Sequence, residues 1–95
     1  METETEKRVS ARITGRVQGV GFRNFTRRRA RGLDVTGWVR NESDGSVRLE
    51  AEGPADALES LVEAVHRGPR MARVEDVDVD WSEAADAFEG FRVRR

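Results

Sequence analysis

The sequence predicts an α+β fold. It reads as a ferredoxin-like βαββαβ sandwich, an antiparallel sheet with two helices on one face and a small strand added at the end. Three observations predict this. Polar–apolar alternation, the mark of a half-buried strand, recurs at Val9, Ala11, Ile13, at Val35, Gly37, Val39, at Val47, Leu49, Ala51 and at Val77, Val79, Trp81. Helical spacing separates the first from the second of these runs, and the third from the fourth. The second and third are joined by Glu42-Ser43-Asp44-Gly45, whose Asp-Gly step favours a hairpin turn.

Met1 to Lys7 is polar and aperiodic, which predicts a flexible tail (1–7) before a single domain (8–95). Arg8 to Thr14 is the first strand. The first helix runs from Phe22 to about Arg31, with Phe22, Thr26, Ala30 and Leu33 on one side and Gly32 as its stop. Arg27, Arg28 and Arg31 point away from that side, and Arg29 must snorkel past the apolar stripe. Val35 to Asn41 and Ser46 to Glu52 are the hairpin strands. Gly53-Pro54 opens the second helix, whose stripe is Ala57, Leu58, Leu61, Val62 and Val65. His66-Arg67-Gly68-Pro69 closes it with basic residues, then a glycine, then a proline. The alternation slips between Val74 and Val77, so the fourth strand should carry a bulge there or start late. Ser82 to Ala87 reads as loop, and Phe91 and Val93 as a short last strand. Trp81 reads as core, and Trp38, off the apolar parity, as a residue of the open sheet face.

Composition narrows the chemistry. The chain has 95 residues, no cysteine and one histidine, His66. Thiolate chemistry is excluded, and a Ser-His-Asp triad or a histidine-rich metal site is implausible. No apolar run approaches the length of a membrane helix, and no signal-peptide pattern is present, so the expected location is cytoplasmic, with no membrane partner. A net charge of −1 gives no electrostatic argument for nucleic acid. The arginines of the first helix read as a solvated face, and a monomer is expected.

The least generic stretch is Gly15-Arg16-Val17-Gln18-Gly19-Val20-Gly21-Phe22-Arg23. It joins a strand to a helix, carries three glycines and has no acidic side chain. Such a turn lets backbone N–H groups converge at a helix start, where partial positive charge already favours anions. Arg23 adds a planar guanidinium suited to phosphate or carboxylate. An oxyanion cradle and a plain tight turn with solvated arginines both fit the local sequence. A nucleoside-triphosphate P-loop is excluded, because no Lys-Ser or Lys-Thr occurs in the chain. The dinucleotide fingerprint fails as well, since its third glycine would fall on Asn24.

Topology adds a second residue. The first two strands flank one helical crossover, so they run parallel with another strand between them. Their C-terminal ends then lie at one sheet edge, roughly 9–10 Å apart, two inter-strand spacings. Asn41 ends the second strand there and shares the parity of Val35, Gly37 and Val39, which points it toward the helices. Asparagine also starts turns readily, so a structural role fits it equally.

Taken together, GRVQGVGFR (15–23), TGWVRN (36–41), DGSV (44–47), AEGP (51–54) and GFRVR (90–94) resemble the acylphosphatase family over nearly the whole chain. The resemblance implies hydrolysis of the carboxyl–phosphate bond of acyl phosphates to a carboxylate and inorganic phosphate, without metal or cofactor. It implies that Arg23 binds phosphate and that Asn41 orients the attacking water. It also implies that the backbone of Arg16, Val17, Gln18, Gly19, Val20 and Gly21 donates N–H groups. Asn24 lies outside the recurring pattern. The chemistry suits so sparse a set: the leaving carboxylate is a weak base and departs without a general acid, and phosphoryl transfer is mostly positioning and charge stabilisation. The rival expectation is a non-catalytic module on the same fold that binds phosphate, nucleic acid or a protein.

Overall fold

A computed structural model describes residues 6–95. Strand β1 (Glu6–Arg16) leads through the glycine-rich loop into helix α1 (Phe22–Gly32). The hairpin β2 (Thr36–Asn41) and β3 (Val47–Pro54) follows, then helix α2 (Ala55–Arg67). Strands β4 (Arg73–Glu83) and β5 (Phe91–Arg94) complete the chain. The sheet order is β4-β1-β3-β2-β5. The central strand β3 runs antiparallel to both β1 and β2, so β1 and β2 are parallel with one strand between them, as the sequence predicts.

Several details differ from expectation, among them that β2 starts at Thr36 and that β3 takes in Gly53 and Pro54, with α2 opening at Ala55. Glu6 and Lys7 belong to β1, because they pair with Pro54 and Gly53 at the far end of β3. The rest of the predicted tail, residues 1–5, lies outside the described residues. Ser82 and Glu83 extend β4, paired with Arg8 and Lys7, rather than starting the loop. The sheet is also mixed rather than purely antiparallel. The segment Ala84–Gly90 carries the chain across the sheet, so β5 enters beside β2 in the same direction and pairs with it in parallel.

The core lies between the sheet and the two helices. Val9, Ile13, Val39, Leu49, Phe22, Ala30, Leu58, Leu61 and Val65 are essentially without solvent contact. Thr26 belongs to the same buried side of α1 and donates its hydroxyl to the Phe22 carbonyl, satisfying itself within the helix. Trp81 departs from its predicted place. It pairs with Val9 and has the core-facing parity, yet 45% of its surface is exposed. Strand β4 is an edge, with no neighbour on its outer flank, and parity alone does not guarantee cover there.

The predicted slip in β4 is a bulge. Thr14 pairs with Asp76 but Gly15 pairs with Val74, which leaves Glu75 as the extra residue. Gly15 adopts φ 120, and a Cβ there would overlap the Arg73 carbonyl oxygen and approach the Glu75 amide nitrogen to 2.8 Å. Glycine is therefore required at the bulge, which bends the end of β1 into the glycine-rich loop.

The opposite face of the sheet is also covered in part. Glu50 and Glu52 are only 6% and 4% exposed. Arg8 reaches Glu50 at 2.9 Å and Glu52 at 3.2 Å, while Ser10 and Arg48 also donate to Glu50. Glu52 accepts the backbone amides of Ala85 and Ala87 at 2.9 and 3.1 Å, which ties the crossing segment to the sheet. Phe88 of that segment lies over the Arg8 guanidinium, 4.8 Å from its ring centre. Burial alone would push both carboxyls up. For Glu50 the hydrogen bonds from Ser10, Arg8 and Arg48 outweigh it, and for Glu52 the Ala85 and Ala87 amides and Arg8 do so, leaving both below the ordinary value.

Candidate active site

The site is built at the edge where β1 and β2 end. Beyond Arg16 the chain drops Val17 into the core and then turns back toward α1. The turn closes at Gly21, which caps the helix in the left-handed region at φ 79. No side chain caps this helix start and no acidic residue sits in its first turn. The free N–H groups of the helix start are thus left for another acceptor. The amides of Gln18, Gly19, Val20 and Gly21 likewise have no backbone acceptor among the described residues.

A cleft of about 280 Å³ opens at this edge, lined by Val17, Gly19, Gly21, Phe22, Arg23, Asn24, Asn41, Val93 and Arg95. Arg23 and Asn41, 18 positions apart in the numbering of the sequence, therefore face one space. Arg23 is half-buried and makes no ion pair among the described residues. No carboxylate side chain and no imidazole lines the cleft, so its charged side chains, Arg23 and Arg95, are both cationic, beside the amides of Asn24 and Asn41. Among the described residues, no group of three His, Cys, Asp or Glu side chains is arranged to hold a metal.

Not every expected loop residue meets the cleft. Arg16 is exposed at the end of β1, paired with Arg73, and Val20 packs against the core from the loop. The side chain of Gln18 turns away from the cleft to the β2–β3 turn, where its Nε2 donates to the carbonyls of Glu42 and Ser46, both at 2.8 Å. That turn is itself tightly organised. Asp44 accepts from the Ser46 amide at 2.9 Å and its hydroxyl at 2.6 Å, and pairs with Arg12. The Ser46 hydroxyl and amide, then Arg12, hold the Asp44 carboxyl far below the usual carboxylate range. Asp44 is thus a turn residue, as its Asp-Gly context suggests.

Three lining residues were not singled out by the sequence: Asn24, Val93 and Arg95. A signal for the last two exists. Val93 pairs with Val39 across β2 and β5, so Arg95 falls on the same face and at the same level as Asn41. Two larger concavities, about 470 and 490 Å³, lie instead around the crossing segment, against Trp38 and Phe88 and beside Glu52. Neither includes Arg23 or Asn41. The guanidiniums of Arg40 and Arg94 pack on the Trp38 ring at 4.8 and 4.6 Å, which explains this residue on the open face.

Comparison with known proteins places the fold in a family. The acylphosphatase family model matches residues 9–93. An acylphosphatase of Salinibacter ruber is 92% identical over 95 residues, 100% of both chains. The crystal structure of an acylphosphatase from Bacillus subtilis is similar at a TM-score of 0.91 and 39% identity, covering 94% of this chain and 99% of that one. One from Coxiella burnetii has a TM-score of 0.89 at 36% identity, covering 99% and 100%. With fold, motif order and near-complete mutual coverage in agreement, the chain belongs to the acylphosphatase family, hydrolases that act on acyl phosphates.

Proposed function

We propose that the cleft between the glycine-rich loop and the end of β2 is the active site, and that it hydrolyses the carboxyl–phosphate bond without a metal. The loop amides and Arg23 hold the phosphoryl oxygens and stabilise the charge that grows on them. Asn41 holds a water in line with the bond to be broken. The water oxygen bonds to phosphorus as the bond from phosphorus to the acyl oxygen breaks. The carboxylate leaves with the electron pair and needs no proton. Asn41 cannot accept the water's proton at neutral pH, so that proton passes to a phosphoryl oxygen of the substrate.

The observation that carries this reading is that Arg23, Asn41, Gly19 and Gly21 line one space without a carboxylate side chain or imidazole, on a loop whose amides have no backbone acceptor among the described residues. A site so equipped suits an anhydride and not a phosphate monoester, whose alkoxide leaving group needs protonation. The same reading has the enzyme acting as a cytoplasmic monomer on a small acyl phosphate, in keeping with its cysteine-free, highly charged composition. The test is hydrolysis of acetyl phosphate beside glycerol phosphate, both with chelator present. Turnover of the first alone is expected, and turnover of both or neither defeats the proposal. Asn41→Ala should lower kcat about a hundredfold, as loss of reactant positioning does. Inhibition by inorganic phosphate should change much less.

A further inference from the structure

We propose that the Gln18 side chain is a positioning residue that locks the phosphate loop to the turn carrying Asn41, and so sets the distance between bound phosphoryl group and attacking water. This rests on the assignment of Asn41 to the water. Gln18 lies between Val17 and Gly19, two residues of one wall of the cleft. Its two amide hydrogens go to Glu42, the residue after Asn41, and to Ser46, the far side of the same turn. One side chain thus spans the two halves of the site.

The pattern of bonding separates this role from simple stabilisation. The β2–β3 turn closes without Gln18. The Glu42 amide donates to the Ser46 carbonyl at 2.8 Å, and the Gly45 amide donates to the Glu42 carbonyl at 3.2 Å. Asp44 adds the bonds to Ser46 and the pair with Arg12. Each carbonyl that Gln18 reaches therefore already accepts one backbone bond, and removing Gln18 leaves neither without a partner. The large cost of an orphaned buried acceptor does not arise. What is lost is the hydrogen-bonded link from the loop to the turn, while Val17 and Val20 still hold the loop to the core by packing. From Gln18 to Gly21 the loop has no other backbone hydrogen bond to donate within the described residues, and its glycines leave it intrinsically free. A displacement near 1 Å in a positioned site costs on the order of a hundredfold in rate.

Two variants test this. Gln18→Met keeps the length and shape of the side chain and removes both donors. We expect kcat for acetyl phosphate to fall at least about tenfold, within that positional range, with KM and inhibition by inorganic phosphate changed less than threefold. Thermal unfolding should stay close to wild type. In an Asn41→Ala background the same substitution should have little further effect on kcat, since the group it positions is gone. A folded Gln18→Met enzyme with kcat within twofold of wild type overturns the proposal. So does an undiminished effect in the Asn41→Ala background. If Asn41→Ala itself leaves kcat unchanged, it is the water assignment that has failed. Gln18→Glu supplies an independent readout. As a carboxylate it has no hydrogen to give the two carbonyls, but protonated it can donate one. Its rate relative to wild type should therefore recover as the pH falls through the ordinary glutamate range, and a flat ratio counts against the proposal.

Discussion

Arg8 and Arg23 show two uses of the same side chain. Arg8 lies within β1 and Arg23 in the first turn of α1, and both are half-buried. Arg8 faces two buried carboxylates and the ring of Phe88 on the open side of the sheet. Arg23 faces a cleft lined by no carboxylate side chain. A guanidinium whose donors are consumed by the fold can only hold the fold together. One held in place with its donors unspent keeps its charge for a ligand. The same contrast holds for backbone: the Ala85 and Ala87 amides are spent on Glu52, whereas those of Gln18 to Gly21 are not.

The contrast breaks most visibly if charge is removed from each side in turn. Arg23→Ala should lower kcat/KM for acetyl phosphate by at least 10²–10³-fold, about 2.7–4 kcal/mol, as loss of one oxyanion donor does elsewhere. Its Tm should stay within a few degrees of wild type, because Arg23 has no ion pair to lose among the described residues. Steady-state kinetics and a thermal melt on one preparation settle both points. Arg8→Leu should do the reverse. It leaves Glu50 and Glu52 buried without their shared cation, an effect of about 3 kcal/mol, the low end for a broken buried pair because Arg8 keeps some solvent contact. The Tm should fall by roughly 10 °C or more in a domain of this size, while the folded fraction retains its kcat. Equal losses of activity and stability in both variants would erase the distinction.

The smallest and most specific effect is in pH. Glu50 and Glu52 have folded values below their ordinary one of 4.5. Their charged forms therefore favour the folded state, with the full contribution present above that value. It is lost as the pH falls through the lower folded values, when the folded carboxyls take up protons too. Denaturant midpoints should be flat from neutrality to about pH 5 and decline below it. In Glu52→Gln the decline should be shallower, and an unchanged slope would remove Glu52 from the account.

The sequence makes the site more legible than its surroundings. Alternation and helical spacing suffice to order β1, β3 and β2, and that order alone brings Asn41 to the loop. The slip between Val74 and Val77 marks the bulge because a missing alternation has few other causes. Glu50 and Glu52, by contrast, sit at positions that alternation assigns to solvent. Their burial comes from Ala84–Gly90, more than 30 residues away, and from Arg8 more than 40 away. Trp81 failed in the opposite sense, since its face is given by parity but its cover is not. The reach of Gln18 across to Glu42 depends on the path of an irregular loop, for which no periodicity exists.

The parallel pairing of β5 with β2 has a consequence for the order in which the protein becomes itself. Val93 and Arg95 line the same cleft as Val17 and Asn41. On the ribosome, β1, α1 and the hairpin can emerge and meet while the cleft still lacks its last wall. Ends so distant in sequence close late, because their loop entropy must be met before their contacts form. Full assembly of the cleft thus waits for β5, which supplies Val93 and leads to Arg95.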